Sequence, residues 1–149
     1  THITVADETG SVVSMTQTLN DAFGSRVTVP GTGVLLNNTM YNFDPHPGTA
    51  NSIAPGKRVL SSMAPITVFK SGKPFMSLGT PGARRIFPSV LQGIINVIDH
   101  GMSLQEAVEA PRVWTQGQNL ELEPDISPDV STVDVCAASD VTEAVASIV

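Results

Sequence analysis

The chain is 149 residues long and 41% apolar, with 14 acidic against 8 basic side chains and a net charge of −6. That is the length of one domain, with apolar content enough for a core, and the acidic balance argues against nucleic acid or an anionic membrane as partner. The lone cysteine, Cys136, excludes an internal disulfide and any multi-cysteine metal site; it reads as a small buried apolar residue of a helix.

The chain starts on a threonine rather than an initiator methionine. Removal of a signal, or the cutting of a fragment, would account for that; so would internal cleavage of a longer precursor. A terminal threonine has a particular chemistry open to it, because its hydroxyl can be activated by its own α-amine. His2 to Asp7 and Ser11 to Thr18 alternate polar and apolar residues, which predicts two strands, joined by a turn at Glu8-Thr9-Gly10. Asn20 to Arg26 predicts a loop with a turn of helix, and Val34-Leu35-Leu36 a short strand ending at Asn37-Asn38.

Asp44 to Lys57 holds three prolines and two glycines. A loop of that length inside a domain is usually a binding segment or disordered. Ala64 to Lys70 and Pro74 to Leu78 predict a second hairpin across Ser71-Gly72-Lys73. Gly79-Thr80-Pro81-Gly82-Ala83-Arg84 then predicts a tight strand-to-helix turn. The helix after it runs from Ile86 to His100, apolar around much of its circumference, and Gly101 closes it. Gln92, Gly93 and Asn96 interrupt its most apolar part, so nothing reaches the length of a membrane span.

Ser103 with Glu106 is a capping-box pattern, opening a short helix that Pro111 stops. Asn119 to Glu123 reads as a strand and Ser127 to Ala138 as a helix with Pro128 in its first turn. Val141 to Val149 is apolar without a stop signal, so a C-terminal portion is expected beyond it. Nothing marks a second domain, and residues 1–149 read as one. The layering expected of two hairpins and two helices is a mixed α+β chain with antiparallel sheets covered by helices.

Six stretches carry a family resemblance. They are Thr1-His2 before a strand, Thr18-Leu19-Asn20, Leu35-Leu36-Asn37-Asn38-Thr39-Met40, Pro55 to Met63 (PGKRVLSSM), Gly79 to Arg84 (GTPGAR) and Glu109-Ala110-Pro111-Arg112. In this order, from Thr1 to about Glu123, they resemble the small subunit of the γ-glutamyltransferase family. The resemblance implies an N-terminal-nucleophile hydrolase with an α+β, four-layer αββα sandwich. Such a precursor cleaves itself into a large and a small subunit that stay together. A threonine exposed by the cut attacks an amide, and water or an amine receives the acyl group. The resemblance implies no cofactor and no metal. It implies one obligatory partner, the large subunit, which in the family also brings an arginine to the substrate carboxylate. Family habit places such proteins outside the cytoplasm, while a single cysteine is compatible with either side of the membrane, so localisation stays open.

Carried over residue by residue, Thr1 is the candidate nucleophile, with its register open by one. Relatives hold the histidine two places after the nucleophile, within Thr-Thr-His, whereas His2 directly follows Thr1. Either one residue is lost here or Thr1 is the neighbour of the attacking residue. Thr18 matches the family's second threonine, whose hydroxyl assists. Asn20 matches a residue at the substrate's amino-acid end, and Ser61 and Ser62 the pair that takes the α-carboxylate. Gly82 and Ala83 match two glycines whose N–H groups form the oxyanion hole, which suits a turn that opens a helix.

The departures fall where specificity is decided. Relatives that use γ-glutamyl substrates carry an acidic residue or glutamine, and then an aspartate, where this chain has Thr39 and Asn42. A buried ammonium facing no carboxylate is poorly compensated. Cleavage of another small-molecule acyl amide through an acyl-enzyme, by hydrolysis or acyl transfer, is therefore the leading expectation. A true γ-glutamyltransferase or glutathione hydrolase, and a non-catalytic relative that keeps the fold, are the alternatives. His2, His46 and His100 share no metal-ligand spacing, and no dinucleotide fingerprint is present.

Overall fold

The computed structural model describes residues 1–117 and 119–127. Cys136, the stretch Val141 to Val149 and, apart from Ser127, the helix expected to Ala138 lie outside the described residues. The chain forms two compact units, Thr1–Phe87 and a second that begins at Pro88.

The first unit is built on two hairpins. Strands β1 (His2–Ala6) and β2 (Val12–Thr16) pair antiparallel, with His2 opposite Thr16 and Ala6 opposite Val12. Asp7 organises their turn. Its Oδ1 accepts the N–H groups of Thr9 and Ser11, both at 2.9 Å, and the Thr9 hydroxyl at 2.6 Å. Those bonds, the Thr9 hydroxyl first, hold the Asp7 carboxyl below its ordinary value. Because side chains alternate across a strand, His2, Thr4, Ser14 and Thr16 share one face. Ile3, Val5, Val13 and Met15 share the other, and all four are exposed.

Strands β3 (Ile66–Lys70) and β4 (Lys73–Leu78) form the second hairpin. Its loop is only Ser71-Gly72, both at positive φ (52° and 77°), the geometry that matches strand twist in a two-residue turn. Lys73, expected in the turn, pairs with Lys70. The register slips between Val68 and Phe69, beside Pro74, where a residue without an N–H is tolerated.

Between the hairpins the chain is irregular. The strand expected at Val34–Leu36 is reduced to one bridge, Thr28 to Leu35. Residues Thr39–Asn42 form a 3₁₀ turn that no periodicity announced. The long loop is held by its own polar groups. The buried Ser52 hydroxyl donates to the His46 carbonyl at 2.6 Å. Asp44 accepts the His46 N–H and ring nitrogen on one oxygen and the Thr49 hydroxyl on the other.

Helix α1 (Ile86–Ile98) follows a 3₁₀ turn at Ala83–Arg85. It ends two residues short of His100, and Met102 N–H closes back onto the Asn96 carbonyl at 3.0 Å across Gly101 at φ 67°. Ile86 and Val90 are buried, but Phe87, Leu91 and Ile98 are 60%, 54% and 50% exposed. Within this chain, then, the helix is not buried around much of its circumference. Ala107 is the third buried apolar residue among those described, a thin interior for this length.

In the second unit, the polar Gln92 bonds to the chain beyond the helix. Its Nε2 donates to the Val113 carbonyl and its Oε1 accepts the Val113 N–H, both at 2.9 Å. The helix thereby supports β5 (Val113–Thr115), a strand too short to read in the sequence, which pairs with β6 (Leu120–Leu122). Between α1 and β5 in the chain lies α2 (Leu104–Glu109), with the full capping box at Ser103 and Glu106. Ala110 is extended at ψ 133°, as the residue before a proline must be. Arg112 Nη2 donates to the Val108 carbonyl at 2.8 Å and so caps the C-terminal end of α2.

Hydrogen bonds from Ser103, its side chain first and then its backbone N–H, lower the Glu106 carboxyl below its ordinary value. A group depressed on folding contributes stability above its unfolded pKa and loses it as pH falls through the folded one. Ser103→Ala is expected to cost about 1 kcal/mol near neutral pH, with the difference from wild type shrinking as Glu106 protonates. Melting curves across the acid range check this; a penalty constant with pH would detach the carboxylate from the cap.

Candidate active site

One cleft of about 290 Å³ lies within the first unit. Segments that flank the two hairpins supply most of its lining. Thr1 and Thr16 lie at the open end of the β1–β2 ladder, and Thr18 and Asn20 continue from it. The 3₁₀ turn brings Thr39 and Asn42, the segment before β3 brings Ser61, Ser62 and Met63, and the strand-to-helix turn brings Thr80, Pro81, Gly82 and Ala83, with Ile86 behind. All nine site residues named from the sequence, Thr1, Thr18, Asn20, Thr39, Asn42, Ser61, Ser62, Gly82 and Ala83, line this one cleft.

Sequence reasoning missed Thr16, Met63, Thr80, Pro81 and Ile86. Thr16 was within reach, because it stands two residues before Thr18 and so shares its face of an extended segment.

Five threonines, two serines and two asparagines stand on the lining beside apolar surface, and no lining side chain carries a charge. The Thr1 ammonium donates to the Gln17 carbonyl, and Gln17 N–H returns to the Thr1 carbonyl, each at 2.9 Å. Thr18 Oγ1 accepts the Asn20 N–H at 2.8 Å, which leaves the Thr18 hydroxyl proton for another partner. Asn20 sits at φ 77°, a conformation asparagine tolerates better than most residues.

The helix-opening turn is shaped by backbone strain. Gly82 has φ 140° and Ala83 φ 52°. For a residue with a Cβ the left-handed region costs roughly 1–2 kcal/mol. That explains why a glycine suits position 83 better than the alanine present. The first N–H groups of a helix lack intrahelical partners and lie at its positive end, so this turn can receive developing negative charge.

His2 joins the two hairpins. Its Nδ1 meets Thr16 Oγ1 at 2.9 Å and its Nε2 meets Thr4 Oγ1 at 3.0 Å. The ring lies against Gly79, where an added Cβ would stand 2.2 Å from Nδ1. Gly79→Ala is therefore expected to push His2 off Thr16 and to lower turnover by up to about 10²-fold. His2→Ala in the same background should recover part of that loss. Kinetics of the two single variants and the double check this, and strictly additive losses would dismiss the contact.

Three asparagines form a chain at the other end. Asn42 Nδ2 donates to Asn20 Oδ1 at 2.9 Å, and Asn20 Nδ2 donates to Asn38 Oδ1 at 3.2 Å. Asp44, the carboxylate two residues after Asn42, is committed to His46 and Thr49 and does not line the cleft. Lys57 and Arg58 do not line it either. Among the described residues no three of His, Cys, Asp and Glu gather to hold a metal ion.

The family model described as Gamma-glutamyltranspeptidase matches residues 1–133. The chain belongs to the gamma-glutamyltranspeptidase family. Within this family it is 65% identical over 131 residues to the Acylase ACY 1 proenzyme of Pseudomonas sp. (strain SE83), a match covering 88% of this chain and 24% of that one. To the Glutathione hydrolase proenzyme of Bacillus subtilis (strain 168) it is 49% identical over 119 residues, covering 80% of this chain and 20% of the relative. The chain thus spans a quarter or less of the length of these relatives. A solved mutant of Helicobacter pylori gamma-glutamyltranspeptidase superposes with a TM-score of 0.79 at 39% identity, covering 97% of this chain and 81% of that one. The α+β fold of this gamma-glutamyltranspeptidase-family chain is accordingly that of N-terminal-nucleophile hydrolases.

Proposed function

We propose that this chain is the nucleophile-bearing part of an amidohydrolase or acyltransferase that works through an acyl-enzyme. The observation that carries the reading is one cleft, free of charged side chains, with Thr1, Thr18, the Ser61-Ser62 pair and the Gly82-Ala83 turn all on its lining. The nucleophile's oxygen adds to the amide carbonyl while the neutral terminal α-amine takes its proton. The Gly82 and Ala83 N–H groups hold the resulting oxyanion, and the Thr18 hydroxyl donates toward the attacking oxygen. The intermediate collapses, the C–N bond breaks, and the leaving amine takes the proton from the α-amine. Water or an acceptor amine then adds to the ester and frees the threonine. Every group this needs is a protein hydroxyl, amine or N–H.

Strand register favours a second placement of the nucleophile. With His2 opposite Thr16, Thr1 stands opposite Gln17, and the position before Thr1 would stand opposite Thr18. Directly opposed residues share a face, so a threonine at that position in a precursor would meet the Thr18 hydroxyl, with Thr1 as its neighbour. Peptide mapping after labelling with an electrophilic glutamine analogue separates the two placements by the residue that bears the adduct.

The partner we propose is a large subunit cut from the same precursor. The named relatives are proenzymes of about four to five times this span. The uncovered face of Ile3, Val5, Val13 and Met15 and the exposed Phe87 and Leu91 are apolar surface that a companion chain would cover. It would complete the four-layer sandwich.

The acyl group we propose is not strictly γ-glutamyl, because Thr39 and Asn42 offer an ammonium no charge. Assays with a γ-glutamyl anilide and a glutaryl anilide test this. Preferential turnover of the glutaryl compound is expected, and a strong preference for γ-glutamyl would overturn it. An uncleaved precursor that never takes up an electrophilic inhibitor, seen by intact mass, would sink the enzyme reading altogether.

A further inference from the structure

Asn38 does not line the cleft, yet we infer that it decides how the acyl-specificity end of the cleft forms hydrogen bonds. The inference rests on reading the cleft as an acyl-donor site. An asparagine side chain has a donor end and an acceptor end that are alike in shape, and its orientation follows from its partners. Here one partner has no freedom. The Asp21 backbone N–H, which can only donate, points to Asn38 Oδ1 at 3.1 Å. Asn38 therefore presents an acceptor, and the Asn38 N–H, bonded to the Leu19 carbonyl at 3.2 Å, ties its backbone to the same segment.

The rest of the order follows. Facing that acceptor, Asn20 must turn its Nδ2 to Asn38, at 3.2 Å. Its Oδ1 then faces Asn42, which must donate from Nδ2, at 2.9 Å. The chain of amides ends with the Asn42 oxygen, the end of that side chain the relay does not use. Asn42 thus meets a donor on the substrate only with a neutral carbonyl oxygen. The group that fits opposite it is a neutral donor, such as a hydroxyl on the carbon that bears the carboxylate. An ammonium would find a dipole there and no opposite charge. Asn38 is a positioning residue, acting through Asn20 and Asn42.

Calorimetric titration of the processed two-subunit protein with (S)-2-hydroxyglutarate and with glutarate tests the relay. These diacids differ by one hydroxyl and carry the same charge. The hydroxy acid is expected to bind about 3- to 10-fold tighter, the worth of one neutral hydrogen bond. In Asn38→Ala the amides are free to reverse, and the ratio should fall below about 2-fold. Asn38→Asp keeps an oxygen for Asp21 and Asn20 and should retain the preference. A general loosening of the fold would weaken both diacids together and leave the ratio unmoved. No preference in wild type, no binding of either diacid, or loss of the preference in Asn38→Asp as in Asn38→Ala would overturn the inference. Binding needs no turnover, so a protein that shows the ratio and cleaves no anilide keeps the relay and loses the hydrolase reading.

Discussion

Thr18→Ala is expected to lower kcat by about 10²- to 10³-fold, the range for removing one positioned donor at a developing charge or one proton-handling group. KM should move little, because a hydroxyl that acts on the attacking oxygen is used in the transition state rather than in binding. The Asn20 N–H occupies one lone pair of Thr18 Oγ1, so this hydroxyl is oriented before substrate arrives. Thr18→Ser keeps the oxygen and should recover most of the rate. A loss under about 3-fold in the alanine variant, with processing intact by mass, would remove Thr18 from the machinery. Processing is measured separately, since the same groups would serve the self-cleavage of a precursor.

Asn42→Asp is expected to move selectivity toward γ-glutamyl over glutaryl donors. A carboxylate at this position offers the substrate ammonium a charge-assisted bond of about 1.5–3 kcal/mol. The asparagine relay opposes it, because an aspartate oxygen would face Asn20 Oδ1, where Asn42 now donates. Asn20 must reverse, and Asn38 cannot follow while it accepts from Asp21. The single variant should therefore shift the kcat/KM ratio of the two anilides by about 10-fold, and adding Asn38→Ala by about 5-fold more. An unchanged ratio in both variants would place the ammonium of the donor elsewhere.

The short-range elements were legible because each has a local cause. The first hairpin follows from alternation around an Asp-Glu-Thr-Gly turn, the second from Ser71-Gly72, α2 from its capping box and Pro111. What escaped depends on partners distant in the chain. Val113–Thr115 is three residues long and is recognisable only with Gln92 holding its backbone from 21 residues away. The 3₁₀ turn at Thr39–Asn42 has no periodic signature; an amide chain back to Asn20 spans it. Apolar periodicity in α1 suggested burial, but periodicity records which face is apolar and not whether this chain itself covers it.

For the site, sequence by itself determined which residue types are present and in what order: threonine, asparagine, a serine pair and a helix-opening turn, together with the neutral pair at 39 and 42. The lack of charged side chains on the lining was already implied by those identities, since composition sets the chemistry a cleft can offer. Only the tertiary structure decided that nine residues spread over 83 positions line a single cleft of about 290 Å³. It alone showed that Asp44 is spent on His46 and Thr49 rather than lent to the cleft. The strand register that sets Thr1 opposite Gln17, and the direction of the Asn38–Asn20–Asn42 chain, also emerged only in three dimensions. Both depend on which donor meets which acceptor across long loops, and hydrogen-bond direction is a property of pairs that no single position in a sequence carries.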